Sequence, residues 1–326
     1  MKQAPMKTAI TDMFNVDYPV FSAPMFLVSS VETVVATCKA GGIGCFPAFN
    51  YRPSSEYQKA LQDIKKQTDK AYGVNIIVQK SNKYKKDHID FALEEEVPLI
   101  ITSLGNPKEV IERAKGTNTK IFCDVVGKEH AKKVADMGAH GLIAVGSGAG
   151  GHAGDISQFA LIPYLKKEIG LPILAAGSIS DGSGFAGAFG LGADGIYMGT
   201  RFIASTEAQV ANEYKDAIVE AKPEDIVNTD KVDGFPGNFI KNEVLERLGI
   251  EPSFVETVLR QSPKLKRYIS MYRAGKSLLA PDSMKVNYKT VFSAGHGVGL
   301  INDVKSIDEI IQFCVKDYYD KKAQLP

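Results

Sequence analysis

The sequence predicts an α/β protein built as a closed (β/α)8 TIM barrel. Three observations carry that prediction. Eight short apolar runs alternate with amphipathic stretches, the rhythm of a parallel sheet wound with helices. Several of the amphipathic stretches stop at a glycine just before the next apolar run, as in Lys39-Ala40-Gly41-Gly42, Met137-Gly138-Ala139 and Leu191-Gly192-Ala193. A glycine there adopts the left-handed conformation that ends a helix at little cost. No G-x-G-x-x-G follows the first run, which ranks an open doubly wound sheet second.

The predicted strands cover residues 19–23, 42–46, 72–77, 98–102, 120–124, 141–145, 172–176 and 195–199. Helices are predicted over 31–40, 57–67, 84–95, 107–115, 129–137, 158–169 and 184–191, and a last one over 307–321 closes the ring. From residue 214 to 279 the rhythm breaks. Pro223, Pro236, Pro252 and Pro263 cut the segment, 242–248 and 253–259 read as helices, and no strand is expected. The domain reading is therefore a barrel of residues 1–213 plus 280–326, with 214–279 a helical lid or substrate wall after the eighth strand, where a barrel carries its catalytic rim. Phe235, Phe239, Phe254 and Tyr268 are its candidate wall residues.

Composition narrows the function classes. The 326 residues are 44% hydrophobic, and 39 basic against 38 acidic residues leave no field that would favour nucleic acid or an anionic membrane. No apolar run approaches the roughly 18 residues that span a bilayer. The N-terminus, with Lys2, Lys7 and Asp12, has no apolar signal core. A cytoplasmic protein acting on a small molecule is expected, with a homodimer as the candidate assembly. Four scattered cysteines without a C-x-x-C pair speak against zinc or a disulfide framework, so no metal is expected, and Cys45 and Cys123 read as buried apolar residues.

Chemistry points to Gly146-Ser147-Gly148-Ala149-Gly150-Gly151-His152-Ala153-Gly154-Asp155, directly after the sixth strand. Bare backbone lets a flat ligand approach, and His152 is the one side chain of the loop that titrates near neutral pH. The competing reading is a glycine-rich hairpin with a surface histidine. Barrels commonly bind phosphate after strands seven and eight. The loops there are Ala176-Gly177-Ser178-Ile179-Ser180-Asp181-Gly182 and Met198-Gly199-Thr200-Arg201, rich in free backbone N–H groups and hydroxyls. Arg201 reads more readily as a structural ion pair than as a phosphate ligand.

Seven segments in order carry a resemblance. They are Asp17-Tyr18-Pro19-Val20 with Ala23-Pro24-Met25, Lys39-Ala40-Gly41-Gly42-Ile43-Gly44, Tyr72-Gly73-Val74-Asn75, Ala149-Gly150-Gly151-His152-Ala153-Gly154, Ala175-Ala176-Gly177-Ser178-Ile179, Met198-Gly199-Thr200-Arg201-Phe202 and Ser293-Ala294-Gly295-His296-Gly297-Val298-Gly299-Leu300-Ile301. Together they resemble the nitronate monooxygenase (2-nitropropane dioxygenase) family of flavin barrels, which includes an FMN-dependent enoyl-acyl-carrier-protein reductase and quinone reductases. The resemblance implies an FMN-dependent oxidoreductase that oxidises nitronates or nitroalkanes with O2. Ala23, Pro24 and Met25 would lie along the flavin ring, Asn75 would add a polar contact and Gly150 would approach the ring. Gly177, Ser178, Gly199 and Thr200 would hold the phosphate, Met198 would be a further cofactor contact, and His152 would be the catalytic acid or base. The alternatives are an NAD(P)H-dependent enoyl-thioester or quinone reductase of the same family, with NAD(P)H as co-substrate, and a phosphate-sugar barrel enzyme without flavin.

Five positions depart from the family pattern. Gly148 stands where many members have Glu, Val145 where Gln, Asp or Glu is frequent, and Ser178 where a second glycine is usual. Asp124 stands where some members have Lys, which reverses the local charge near the flavin, and His296 where Gln or Met is common.

Overall fold

The computed structural model describes residues 2–232, 234–248 and 290–324. Eight parallel strands close a barrel: β1 Val20–Ser22, β2 Ile43–Pro47, β3 Gly73–Ile77, β4 Leu99–Ser103, β5 Lys120–Val125, β6 Gly141–Val145, β8 Ile173–Ala176 and β9 Gly195–Met198. All eight predicted strands are present. Pairing of β1 with β9, Phe21 opposite Tyr197, closes the ring.

Alternation along each strand divides the side chains into two cores. Phe21, Ile43, Cys45, Leu99, Ile101, Phe122, Ile143 and Leu174 fill the interior. Their neighbours, among them Val20, Val74, Ile100, Ile121, Cys123, Leu142 and Ile196, pack outward against the helices. These are α2 Val31–Lys39, α3 Ser54–Gln67, α4 Lys85–Glu94, α5 Lys108–Arg113, α6 Lys128–Asp136, α7 Gln158–Ile169 and α8 Gly182–Gly190. The C-terminal helix Ile307–Gln324 packs between α8 and α2 and completes the ring of helices. Gly41, Gly138 and Gly192 sit at φ of 95°, 100° and 99°, as the helix-stop reading requires. A short helix missed in the sequence, α1 Ala9–Phe14, plugs the bottom of the barrel. Its Phe14 ring meets Phe21 edge-on at 6.2 Å and Phe122 at 5.9 Å.

The segment after β9 corrects one expectation. It begins with α9 Thr200–Ile203 and α10 Asn212–Glu220, but then forms β10 Ile226–Thr229 and β11 Gly237–Ile240 before α11 Glu243–Leu248. β11 pairs antiparallel with β10 on one side and with β7, Gly151–His152, on the other. The region read as strandless therefore supplies two strands that recruit the histidine loop into a small sheet. Pro223 opens a 3-10 turn before β10 and Pro236 directly precedes β11. The helix predicted over 253–259, with Phe254 and Tyr268, lies outside the described residues.

Phe239 is also corrected. It is fully buried with Val232, Leu245 and Val291, so it packs this cap and does not wall a cavity. Phe235, by contrast, is half-buried and lies edge-on to His152, ring centroids 5.7 Å apart. Phe239→Ala should therefore cost about 3–5 kcal/mol of cap stability, in the range of buried phenylalanine truncations. Phe235→Ala should cost under 1 kcal/mol by the surface-substitution rule, roughly. Urea unfolding of the two variants checks this, and equal losses would remove the distinction.

Candidate active site

The catalytic rim gathers three glycine-bearing loops, each tied to the next. The loop after β6 is held from above by Asn238 on β11. The Asn238 side-chain amide donates to Ser147 O at 2.8 Å and Ala149 O at 2.7 Å, while its oxygen accepts from Asn228 at 2.9 Å. A fully buried amide with its hydrogen bonds met fixes a backbone that has almost no side chains of its own. The segment 293–300 packs against the same loop. His296 N–H donates to Gly148 O at 3.3 Å, and a Cβ on Gly150 would lie 2.8 Å from Ala294 C and Gly295 N. Gly150 is thus bare because another backbone crosses it.

The loops after β8 and β9 complete the rim. Gly177 has φ 122° and Ser178 φ 55°, both left-handed, and a Cβ on Gly177 would approach Ala149 N at 2.7 Å. Gly199 caps α9 without a side chain, and a Cβ added to it would lie 3.7 Å from Met25 Sδ and 3.8 Å from Ala23 Cβ, ordinary contact distances. The ends of β1 and β9 therefore lie side by side. Thr200 Oγ1 accepts from Gly295 N–H at 3.0 Å, which leaves its own proton to donate. Asn50, not foreseen in the sequence, holds the β1 loop: its amide donates to Met25 O at 3.1 Å and Ser29 O at 2.8 Å, and its oxygen accepts from Leu27 N–H at 3.0 Å.

Of the other sequence candidates, Asn75 points into the barrel and bonds Ser103 Oγ at 3.0 Å. Ala23 and Pro24 line the β1 end, with Ala23 N–H donating to Met198 O at 2.8 Å. The Met198 side chain is not brought to the mouth; it is buried in the layer between barrel and helices. Arg201 forms the expected ion pair, bidentate to Asp303 through a carbonyl and a carboxylate oxygen, both at 2.9 Å. All four cysteines are buried and free. Among the described residues no group of three or more His, Cys, Asp or Glu could hold a metal ion, and no helix is long and apolar enough to cross a membrane.

Two departures from the family pattern turn out to be one. A Cβ on Gly148 would fall on Ser178 Oγ, so the serine fills space that a side chain at 148 would need. Ser178 Oγ also donates to Gly148 O at 3.3 Å.

His152 stands exposed on β7 above the mouth. Beneath it, Asp124 is half-buried on β5, in line with Phe122 on the interior face. Burial pushes its carboxyl up to about 7, and the nearby His152 pulls it partly back. Burial also drives the Tyr197 phenol well above its usual value, so it stays protonated beside Asp124.

The rim as built can accept a flavin. The loops carrying Gly177, Ser178, Gly199 and Thr200 offer backbone and hydroxyl donors without a carboxylate among these four residues, which suits a phosphate. Fold and rim together define a (β/α)8 barrel whose candidate site lies at the C-terminal ends of its strands. The sequence model described as "Nitronate monooxygenase" matches residues 7–88 and 81–317. A "(3aS,4S,5R,7aS)-5-hydroxy-7a-methyl-1-oxo-octahydro-1H-indene-4-carboxyl-CoA dehydrogenase" of Mycobacterium tuberculosis is 29% identical and covers 96% of both chains. A probable nitronate monooxygenase of Staphylococcus saprophyticus is 30% identical over 74% of this chain and 81% of its own. Among solved structures, FabK from Thermotoga maritima superposes with a TM-score of 0.82 at 28% identity, over 98% of each chain. The chain belongs to the nitronate monooxygenase family. That membership displaces the flavin-free phosphate-sugar alternative.

Two outcomes follow from this geometry. Gly148→Ala should lower stability by about 1 kcal/mol, since the Ser178 hydroxyl must turn aside, and a double-mutant cycle with Ser178→Gly should show coupling between the two positions; effects that simply add in the double variant would show that they are not a pair. Asp124 gives a pH signature. The unfolded carboxyl ionises near about 3.9, whereas the folded one holds its proton to about 7. Between those values the folded state binds more protons, so stability falls as pH rises, then stays level above about 7. Asp124→Asn should therefore gain stability over the wild type progressively from about pH 4 to 7. A pH-independent difference in urea midpoints would contradict the burial of this carboxyl.

Proposed function

We propose that the protein binds FMN and oxidises nitronates or nitroalkanes with O2, and that His152 is its acid or base. The observation that carries this reading is an exposed imidazole held by β7 at the same end of the barrel as the donor-rich loops after β8 and β9. The ring of FMN would rest against Ala23, Pro24, Met25 and Gly150, with its phosphate on Gly177, Ser178, Gly199 and Thr200. When bound, the flavin supplies the electron acceptor that no side chain provides. This chain's own residues do the rest. His152 takes the α-proton of a neutral nitroalkane, leaving the electron pair on the nitro group. Phe235 orients the imidazole by ring contact and shields it from water on one side.

A second reading is supported by the Mycobacterium tuberculosis relative, whose name is that of a carboxyl-CoA dehydrogenase and which matches from end to end. In it His152 moves a proton beside a thioester carbonyl, and NAD(P)H or its oxidised form is the co-substrate. Anaerobic mixing of the purified protein with NADH, NADPH and a nitronate in turn separates the two by which one bleaches the flavin absorbance. For the first reading, His152→Ala should keep its flavin and lose about 10² to 10⁴ in turnover on a neutral nitroalkane, the usual worth of general acid–base help. Turnover on a preformed nitronate, which needs no deprotonation, should fall much less. Equal activity on both substrates would take His152 out of the chemistry.

A further inference from the structure

One ionisable group in the mouth has no part in the proposal above. Asp124 lies near the end of β5, one position beyond Cys123, which pairs with Thr102 of β4, and it stands opposite Ile143 of β6. Strand alternation turns it inward with Phe122, while Cys123 turns outward into the barrel–helix layer. The groups that face it can be named element by element. From β3 and β4 come Asn75 and Ser103, neutral and hydrogen-bonded to each other. β6 offers the apolar Val145. β9 offers Tyr197, whose phenol stays neutral, while Cys123 of its own strand is a protonated thiol turned away into the outer layer. From β7 comes His152. Asp124 makes no hydrogen bond or ion pair with any described residue; what acts on it is burial, opposed by the charge of His152. A carboxyl in low dielectric with no donor beside it is costly to ionise unless a cation faces it, and His152 is the one group among those named that can become one.

We propose that Asp124 is a positioning residue that acts through His152, its carboxylate stabilising the imidazolium, so that the two side chains ionise as one coupled pair. The inference rests on the reading of His152 as proton acceptor. When the substrate C–H bond breaks, its electron pair stays with the nitro group and the proton goes to an imidazole nitrogen. The positive charge formed there meets the carboxylate below it. Asp124 is too deep in the barrel to be an open surface anion, so salt screens the pair less than it would a surface pair. Asp124 also gives a reason for Asp at this position, because a lysine there would oppose the charge that His152 acquires.

Coupling between two sites is reciprocal, and that makes it measurable without substrate or turnover. The full chain, labelled with 13C and 15N, is titrated from about pH 5 to 9 while the His152 ring and the Asp124 carboxyl carbon are followed by NMR. In Asp124→Asn, His152 should titrate about one pH unit lower than in the wild type, the size expected when one adjacent opposite charge is removed. In His152→Gln, the Asp124 carboxyl should titrate higher than in the wild type. His152 is exposed, so this second variant serves even if Asp124→Asn does not fold. An unmoved His152 in folded Asp124→Asn, or an unmoved Asp124 in His152→Gln, would overturn the pair. These readouts stay separate from the substrate reading. Inactivity on nitronates with the coupling intact would refute that reading alone, and lost coupling with nitronate turnover intact would refute the pair alone.

Discussion

A loop made of glycines cannot hold its own shape, and the active site depends on the buried amide that does so for it. Between Gly146 and Gly154 only Ser147 and His152 have side chains larger than alanine. Fixing that much unconstrained backbone costs about 1–2 kcal/mol per residue in conformational entropy. The loop's own alternating contacts do not offset such a cost. Asn238 supplies part of the offset, by bonding two of its carbonyls from a buried position and by continuing into a strand that pairs with Gly151 and His152. The direction of the imidazole is thus set by an element some eighty residues away in sequence.

From that clamp the rest of the rim follows. The loop held by Asn238 becomes a floor on which the 293–300 segment and the loop after β8 lie in backbone-to-backbone contact, at distances that only glycine permits at Gly150 and Gly177. Thr200 ties the loop after β9 to the same assembly through Gly295. The same rigidity sets the electrostatics. His152 is carried to a fixed place above Asp124, so a carboxyl on the barrel wall and an imidazole on the cap share one field although no loop joins them directly. Within a low-dielectric mouth, that arrangement makes the charge of each depend on the other.

The eight strands and their helices were legible because their signal is local. Apolar runs of strand length, amphipathic spacing and a glycine at each helix stop are readable within ten residues. The histidine loop and the loops after β8 and β9 were legible for the same reason, as was the burial of Cys45 and Cys123. The cap was not. Gly237-Asn238-Phe239-Ile240 is a short alternating run after Pro236, and its identity as a strand is decided by pairing with Gly151-His152, a contact that no local window contains. Phe235 and Phe239 look alike as sequence; register turns one to the imidazole and the other into a closed cluster.

The sequence by itself determined the parallel barrel, the position of the glycine loops at its C-terminal ends and the residue types available for chemistry, because strand and helix periodicity and turn residues act over a few positions. The tertiary structure alone decided how those pieces meet. It set Asn238 against two loop carbonyls and Asp124 within the field of His152, and it gave the space of a side chain at 148 to Ser178. These are steric and electrostatic relations between residues from 28 to 91 positions apart. They depend on barrel closure and sheet register, and those are fixed only when the whole chain has packed.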